Sequence, residues 1–207
     1  EAVIPGFYRG HADGLFVARY FSSRRQELPP PETMDRLLSI IDEKPPVTKT
    51  NADRTLRPIV KCGPADTAAM GTLYRQVFES YPFPICDPGY LEQVMAAGVL
   101  YYAVQSDGGI DALAAAEVDR ENEVVEMTDF ATLPKWRRAG LAGLLLRHME
   151  KEVHKLGIKT AYTIARAASP GINRLFRSSA YRYAGLLINN THISGYIQSM
   201  TVWYKTL

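Results

Sequence analysis

Long hydrophobic runs, cysteine pairs and a strong charge excess are all missing from this 207-residue chain. No apolar stretch approaches the roughly 18 residues that cross a bilayer, so no membrane-spanning helix is expected. No signal-peptide pattern opens the sequence either, and the expected location is cytoplasmic. The two cysteines, Cys62 and Cys86, lack zinc-ligand spacing, and His11, His148, His154 and His192 do not cluster with them. No metal is therefore expected. A net charge of +2 without a run of Lys or Arg leaves no electrostatic footprint for nucleic acid. Finally, no Ser/His/Asp or Cys/His arrangement suggests a covalent intermediate.

What is present suits a globular protein. With 46% hydrophobic and 22% charged residues, the chain can bury one full core and a small appended lobe. It begins at Glu1 inside what reads as an element, so a missing upstream piece is expected. Residues 1–45 read as an N-terminal appended segment. AVIPGFY and GLFVARYF form two short strands, and a Pro-led helix carries Met34, Leu37, Leu38, Ile40 and Ile41. Residues 46–55 are polar and proline-bearing, and read as a linker.

From residue 56 to residue 207 the pattern is strand, two helices, three strands, helix, strand, helix, two strands. This is an α+β fold with a mixed, mostly antiparallel twisted sheet flanked by helices. The first helix places Met70, Leu73, Val77 and Phe78 on one face with Asp66 as its cap. The stretch from Glu126 to Glu152 reads as a strand, a tight basic turn, and an amphipathic helix from about Arg138 to Leu156. That helix carries Leu141, Leu144, Leu145, His148, Met149 and Val153 on one stripe. Unpaired N–H groups at such a helix start sit at the positive end of its dipole and can hold a pyrophosphate. Arg137, Gly140 and Ala142 fit the pattern Q/R-x-x-G-x-G/A. Gly140 lets backbone approach phosphate, and Ala142 keeps the first helical turn uncrowded.

This turn, following a strand that ends in Phe130-Ala131-Thr132, resembles the pyrophosphate turn of GNAT acetyltransferases. The strings YPFPI, EMTDFATLP, KTAYTIARA, NRLF, INNTHISG and SMTVWYK are similar, more narrowly, to the β-lysine N6-acetyltransferase family. The resemblance implies a GNAT acyl-CoA N-acyltransferase fold and acetyl-CoA as co-substrate. It implies that acetyl-CoA lies between the strands EVVEMTDFAT and IKTAYTIARA, held by Phe130, Ala131 and Thr132 and by the turn Arg137, Arg138, Ala139, Gly140, Leu141 and Ala142. Asn173 and Phe176, on the following helix, join the expected cofactor contacts. Phe176 stands where the family pattern has a tyrosine acid. A homodimer is compatible with the family and is decided by no sequence feature.

Acetyl transfer needs a neutral amine, and a lysine ε-amine with a pKa near 10.4 is charged at pH 7. Glu126 is the first candidate base, since it lies 14 residues before Gly140, the spacing of the catalytic glutamate in GNAT histone acetyltransferases. Asp129 is the second. A regular strand would turn it to the opposite face, and a bulge would reverse that. Arg166 suits a substrate carboxylate because its planar fork matches two oxygens. Tyr162, Asn190 and Ser199 complete the expected substrate contacts. The expected product is N6-acetyl-β-lysine, a compatible solute. The alternatives are another small amine, a protein lysine, or an idle acyl-CoA-binding module.

Overall fold

The structure is a computed structural model that describes residues 1–43, 58–106 and 109–207. The expected linker at 46–55 lies outside the described residues, as does Gly108 of the expected hairpin turn. In chain order the elements are β1 (Ala2–Tyr8), β2 (Ala12–Phe16), α1 (Pro31–Asp42), β3 (Ile59–Lys61), α2 (Thr67–Val77), α3 (Pro88–Ala96), β4 (Leu100–Ser106), β5 (Gly109–Asp119) and β6 (Val124–Thr132). They continue with α4 (Leu141–Lys155), β7 (Thr160–Arg166), α5 (Pro170–Ser178), β8 (Arg182–Ile193) and β9 (Tyr196–Thr206).

These strands form one nine-stranded sheet in the order β2-β1-β8-β9-β7-β6-β5-β4-β3. Every neighbouring pair is antiparallel except β6 and β7. The expected mixed, mostly antiparallel sheet is therefore present. One face carries α4, α5 and α1 over a core that includes Leu145, Leu146, Met149, Phe176, Tyr181 and Trp203. The other carries α2 and α3 over Met70, Leu73, Tyr74 and Leu91. Burying each of these large side chains contributes roughly 1.5–3 kcal/mol.

Local chemistry shifts several expected boundaries. Helix α4 starts at Leu141 rather than Arg138, because Arg138 (φ 66) and Gly140 (φ 80) are both left-handed and cannot continue a right-handed helix. Its buried stripe also includes Leu146, while His148 is half-buried against Tyr102. Asp66 does not cap α2 with its side chain; its Oδ2 accepts from the Gly63 N–H of the preceding turn instead, at 2.8 Å. The second N-terminal strand is shorter than GLFVARYF, ending at Phe16.

The N-terminal segment is built into the same sheet and core. β1 meets β8 only at Ala2↔Gly185, where a side chain at 185 would sit 2.0 Å from the Glu1 carbonyl oxygen; only glycine admits the strand. β1 then crosses the sheet face. At its tip, Arg9 donates its backbone N–H to Asn122 O at 2.8 Å and its Nε–H to Glu121 O at 2.7 Å. Phe7 and Phe16 pack against Tyr162 of β7. On the opposite face α1 buries Leu37 and Ile40, and Glu43 pairs with Arg174 of α5 at 3.0 Å.

Candidate active site

The parallel pairing of β6 and β7 is short. Val124, Val125 and Glu126 pair with Thr160, Ala161 and Tyr162, and no pairing follows. Met127, Thr128, Ala131 and Thr132 therefore keep their β5 partners, and from Met127 to Thr132 the strand has none on the β7 side. A strand edge with free N–H and C=O groups inside a sheet accepts an extended, amide-bearing ligand. Phe130, Ala131 and Thr132 lie on this open edge.

The basic turn stands at the mouth of the same gap. Arg137, Arg138, Ala139 and Gly140 are all exposed, and a side chain added at Gly140 would meet nothing within 4 Å. Leu141 opens α4, and no side chain caps that helix start. Open space, free N–H groups and two guanidinium side chains fit the pyrophosphate of a CoA thioester.

Asn173 and Phe176 differ from the rest of that expected set. Asn173 is fully buried. Its Nδ2 donates to Arg166 O and Ser169 O at 2.9 and 2.8 Å, and its Oδ1 accepts from Thr201 Oγ1 and Trp203 Nε1 at 2.6 and 2.9 Å. All four hydrogen-bonding positions of the amide are occupied, so the side chain pins α5 to β7 and β9 and has nothing left for a ligand. Phe176 is also fully buried, edge-on to Phe130 and Tyr181. Its ring is core.

On the α2 face, β6 carries the carboxylates. Leu113 pairs with Ala131 and Ala115 with Thr128, so Ala114 opposes two residues, and Asp129 adopts φ 54. This bulge switches the phase of the strand. Val125 and Met127 belong to the α4-side core, whereas Ala131 belongs to the α2-side core. Asp129 consequently shares a face with Glu126, and the Tyr81 hydroxyl donates to Asp129 Oδ1 at 2.5 Å.

Burial pushes the Glu126 carboxyl up to about 8, reinforced by the charge of Glu117 and opposed by the Tyr162 hydroxyl. Asp129 rises to about 6, again mainly through burial and against the Tyr81 hydrogen bond. Desolvation raises the phenols of Tyr74, Tyr81, Tyr101 and Tyr162 well above their ordinary value. At neutral pH the site thus combines carboxyls poised near the working range with neutral hydroxyl donors.

The expected substrate residues separate into two groups. Tyr162 is abreast of Glu126, and Arg166, four residues along the same strand, projects to the same side. Arg166 donates to Ser194 Oγ at 2.8 Å. Ser199, by contrast, alternates onto the α5 side with Thr201 and Trp203, and its Oγ already accepts from Asn189 N at 2.9 Å. Asn190 is exposed and accepts from Thr191. Four residues not anticipated from sequence join the site: Tyr81, Tyr90, Tyr101 and Glu117. YPFPI flagged Tyr81 only as part of a family-like string, and the other three carried no motif.

Comparison with known proteins places the chain in a family. The sequence profile of the acetyltransferase (GNAT) family matches residues 68–181. The β-lysine N(6)-acetyltransferase of Methanococcus maripaludis is 33% identical over 198 residues, covering 96% of this chain and 72% of that protein. The enzyme of the same name from Methanosarcina mazei is 40% identical over 153 residues, covering 74% of this chain and 55% of that protein. Among solved structures, the ribosomal-protein-S18-alanine N-acetyltransferase from Escherichia coli superposes with a TM-score of 0.62 at 18% identity, covering 72% of this chain and 92% of that one. That likeness concerns the fold.

Proposed function

We propose that this chain, which belongs to the GNAT family of acetyltransferases, moves acetyl from acetyl-CoA to the N6 amine of β-lysine, giving N6-acetyl-β-lysine as a compatible solute. The observation that carries the reading is the placement of Glu126 and Arg166 on one side of the sheet, with Glu126 at the point where β6 and β7 part. Two relatives that bear the name β-lysine N(6)-acetyltransferase support the acceptor.

Acetyl-CoA supplies an activated thioester carbonyl, delivered through the gap between β6 and β7. Its pyrophosphate is assigned to the turn from Arg137 to Ala142, and its amides to the open edge at Phe130, Ala131 and Thr132. The acceptor enters from the α2 side as an ammonium. Glu126 takes one proton from it, directly or through one water, and the free nitrogen is then the nucleophile in a ternary complex. Asp129, hydrogen-bonded to Tyr81, holds negative charge beside the cation. With a phenylalanine at position 176, the leaving thiolate takes its proton from solvent or from a hydroxyl of the site, and the acylated nitrogen loses its second proton to solvent or back to that hydroxyl as the C–S bond breaks.

Distance supports a small diamino acid. Glu126 is abreast of Tyr162, and Tyr162 and Arg166 are separated by about 13 Å of strand, so the two side chains bracket a space for one small substrate. Arg166 then meets the carboxylate while Glu126 meets the distal amine. The β1–β2 hairpin, with Phe7 and Phe16 against Tyr162, walls that face and favours a free amine over a polypeptide lysine.

The test is product identification by NMR after incubation with acetyl-CoA and β-lysine. Acetylation at N6 is expected, and Arg166→Ala should raise KM for β-lysine about 30-fold while sparing amines without a carboxylate. Acetylation at the β-amine, or equal effects on both amine classes, would reject the orientation.

A further inference from the structure

The carboxylate of Glu117 has no part in the chemistry above, yet it stands directly opposite Glu126 in the β5–β6 register. Like charges on facing residues of an antiparallel pair destabilise the sheet, so the two carboxyls can be ionised together at low cost only with a cation beside them. No ion pair of the described residues involves Glu117, Glu126 or Asp129. Glu117 is exposed, whereas Glu126 and Asp129 are half-buried behind it. The three therefore form a path from solvent to the point where β6 and β7 separate.

A second observation points to a ligand at this spot. The Tyr74 hydroxyl, on a residue with no exposed surface, has no hydrogen-bond partner and lies within electrostatic reach of Asp129. Phenols also converge from other elements: Tyr90 from α3, Tyr101 from β4, Tyr162 from β7, and Tyr81 from the loop after α2. Tyr90, Tyr101 and Tyr162 feel the charge of Glu117, and Tyr162 also that of Asp119. Neutral hydroxyls and aromatic faces around anionic oxygens make a site for a primary ammonium.

We propose that Glu117 is a positioning residue of the acceptor site, receiving the incoming ammonium at the mouth and presenting it to Glu126 across the β5–β6 ladder. The proposal rests on the reading of Glu126 as the base. Its charge has a second consequence. While Glu117 is unpaired, it holds the Glu126 proton in place; once the ammonium neutralises Glu117, Glu126 becomes the stronger acid and is ready to act as an anionic base. Loading of the acceptor and readiness of the base are thereby coupled.

The experiment compares wild type, Glu117→Gln, Glu117→Asp and Glu126→Gln in steady-state kinetics with acetyl-CoA and β-lysine from pH 6 to 9. Glu117→Gln should raise KM for the amine about 10-fold and leave KM for acetyl-CoA unchanged. It should also move the ascending limb of kcat/KM about one unit toward acid, and Glu117→Asp should restore much of both. An unchanged amine KM and limb in an active Glu117→Gln enzyme would overturn the proposal alone. Retention of the limb in Glu126→Gln would overturn the base assignment and the proposal with it. If α-lysine or putrescine outruns β-lysine, the acceptor assignment falls, and the Glu117 proposal is decided on that amine's KM and limb.

Discussion

The two sides of the gap between β6 and β7 are built in opposite ways. The donor side is made of backbone: the free edge of Met127 to Thr132, the left-handed Arg138 and Gly140, and the uncapped start of α4. The acceptor side is made of side chains from six elements and one loop, with carboxyls and phenols packed close enough to shift one another's titration. A backbone cradle reads only the phosphates and amides common to every acyl-CoA. Selectivity for one amine must come from the side-chain half, and mutations should divide along the same line.

The largest effect is expected on the acceptor side. Glu126→Gln should lower kcat by about 100-fold or more with little change in KM for acetyl-CoA; a fall in acetyl-CoA affinity of similar size would erase the division. Asn173→Ala should act on neither half. It leaves the buried Trp203 Nε1 without a partner and cuts the amide link from α5 to Arg166 and Ser169, and should cost about 2–4 kcal/mol in denaturant unfolding, with CoA affinity preserved in the folded protein. Loss of CoA binding without loss of stability would return Asn173 to the cofactor contacts.

On the donor side, Gly140→Val places a β-branched residue at φ 80 in the space assigned to phosphate. It should raise KM for acetyl-CoA about 10-fold and leave KM for the amine alone. A last effect is on the pH dependence of stability. The Glu126 carboxyl titrates near 4.5 in the unfolded chain and near 8 in the folded one. Between those pH values the folded state binds the extra proton, so stability falls as pH rises. Glu126→Gln should melt with wild type near pH 4.5 and about 10 °C above it beyond pH 8. A constant difference across pH would show that the burial cost of the charge is absent.

The same contrast explains what could be read from sequence. The donor turn lies within six consecutive residues, and its glycine and arginines carry their meaning locally. Most sheet strands and the principal helices were likewise legible from periodicity and from Pro and Gly punctuation. The errors arose where tertiary context overrode local pattern. Arg138 gave no sign that a non-glycine residue would turn left-handed just before α4. Asn173 reads as a cofactor contact in sequence, because its four partners come from β7, β9 and the α5 entry and leave no local sign. Ser199 has the chemistry of a pocket residue, but strand alternation turns it toward α5. Glu117 carries no local signal, because only the β5–β6 register sets it beside Glu126. The bulge at Asp129, which reverses the parity of β6, has no signature in MTDFAT beyond an aspartate that tolerates positive φ.

The central claim is that the side-chain half of the site is shaped for N6 of β-lysine. Its most direct test is kcat/KM of the wild-type protein with saturating acetyl-CoA for β-lysine, α-lysine and spermidine under one set of conditions. The account predicts β-lysine ahead of both by at least about 10-fold, the scale of one mismatched polar contact. Equal or better turnover of α-lysine or spermidine would contradict it.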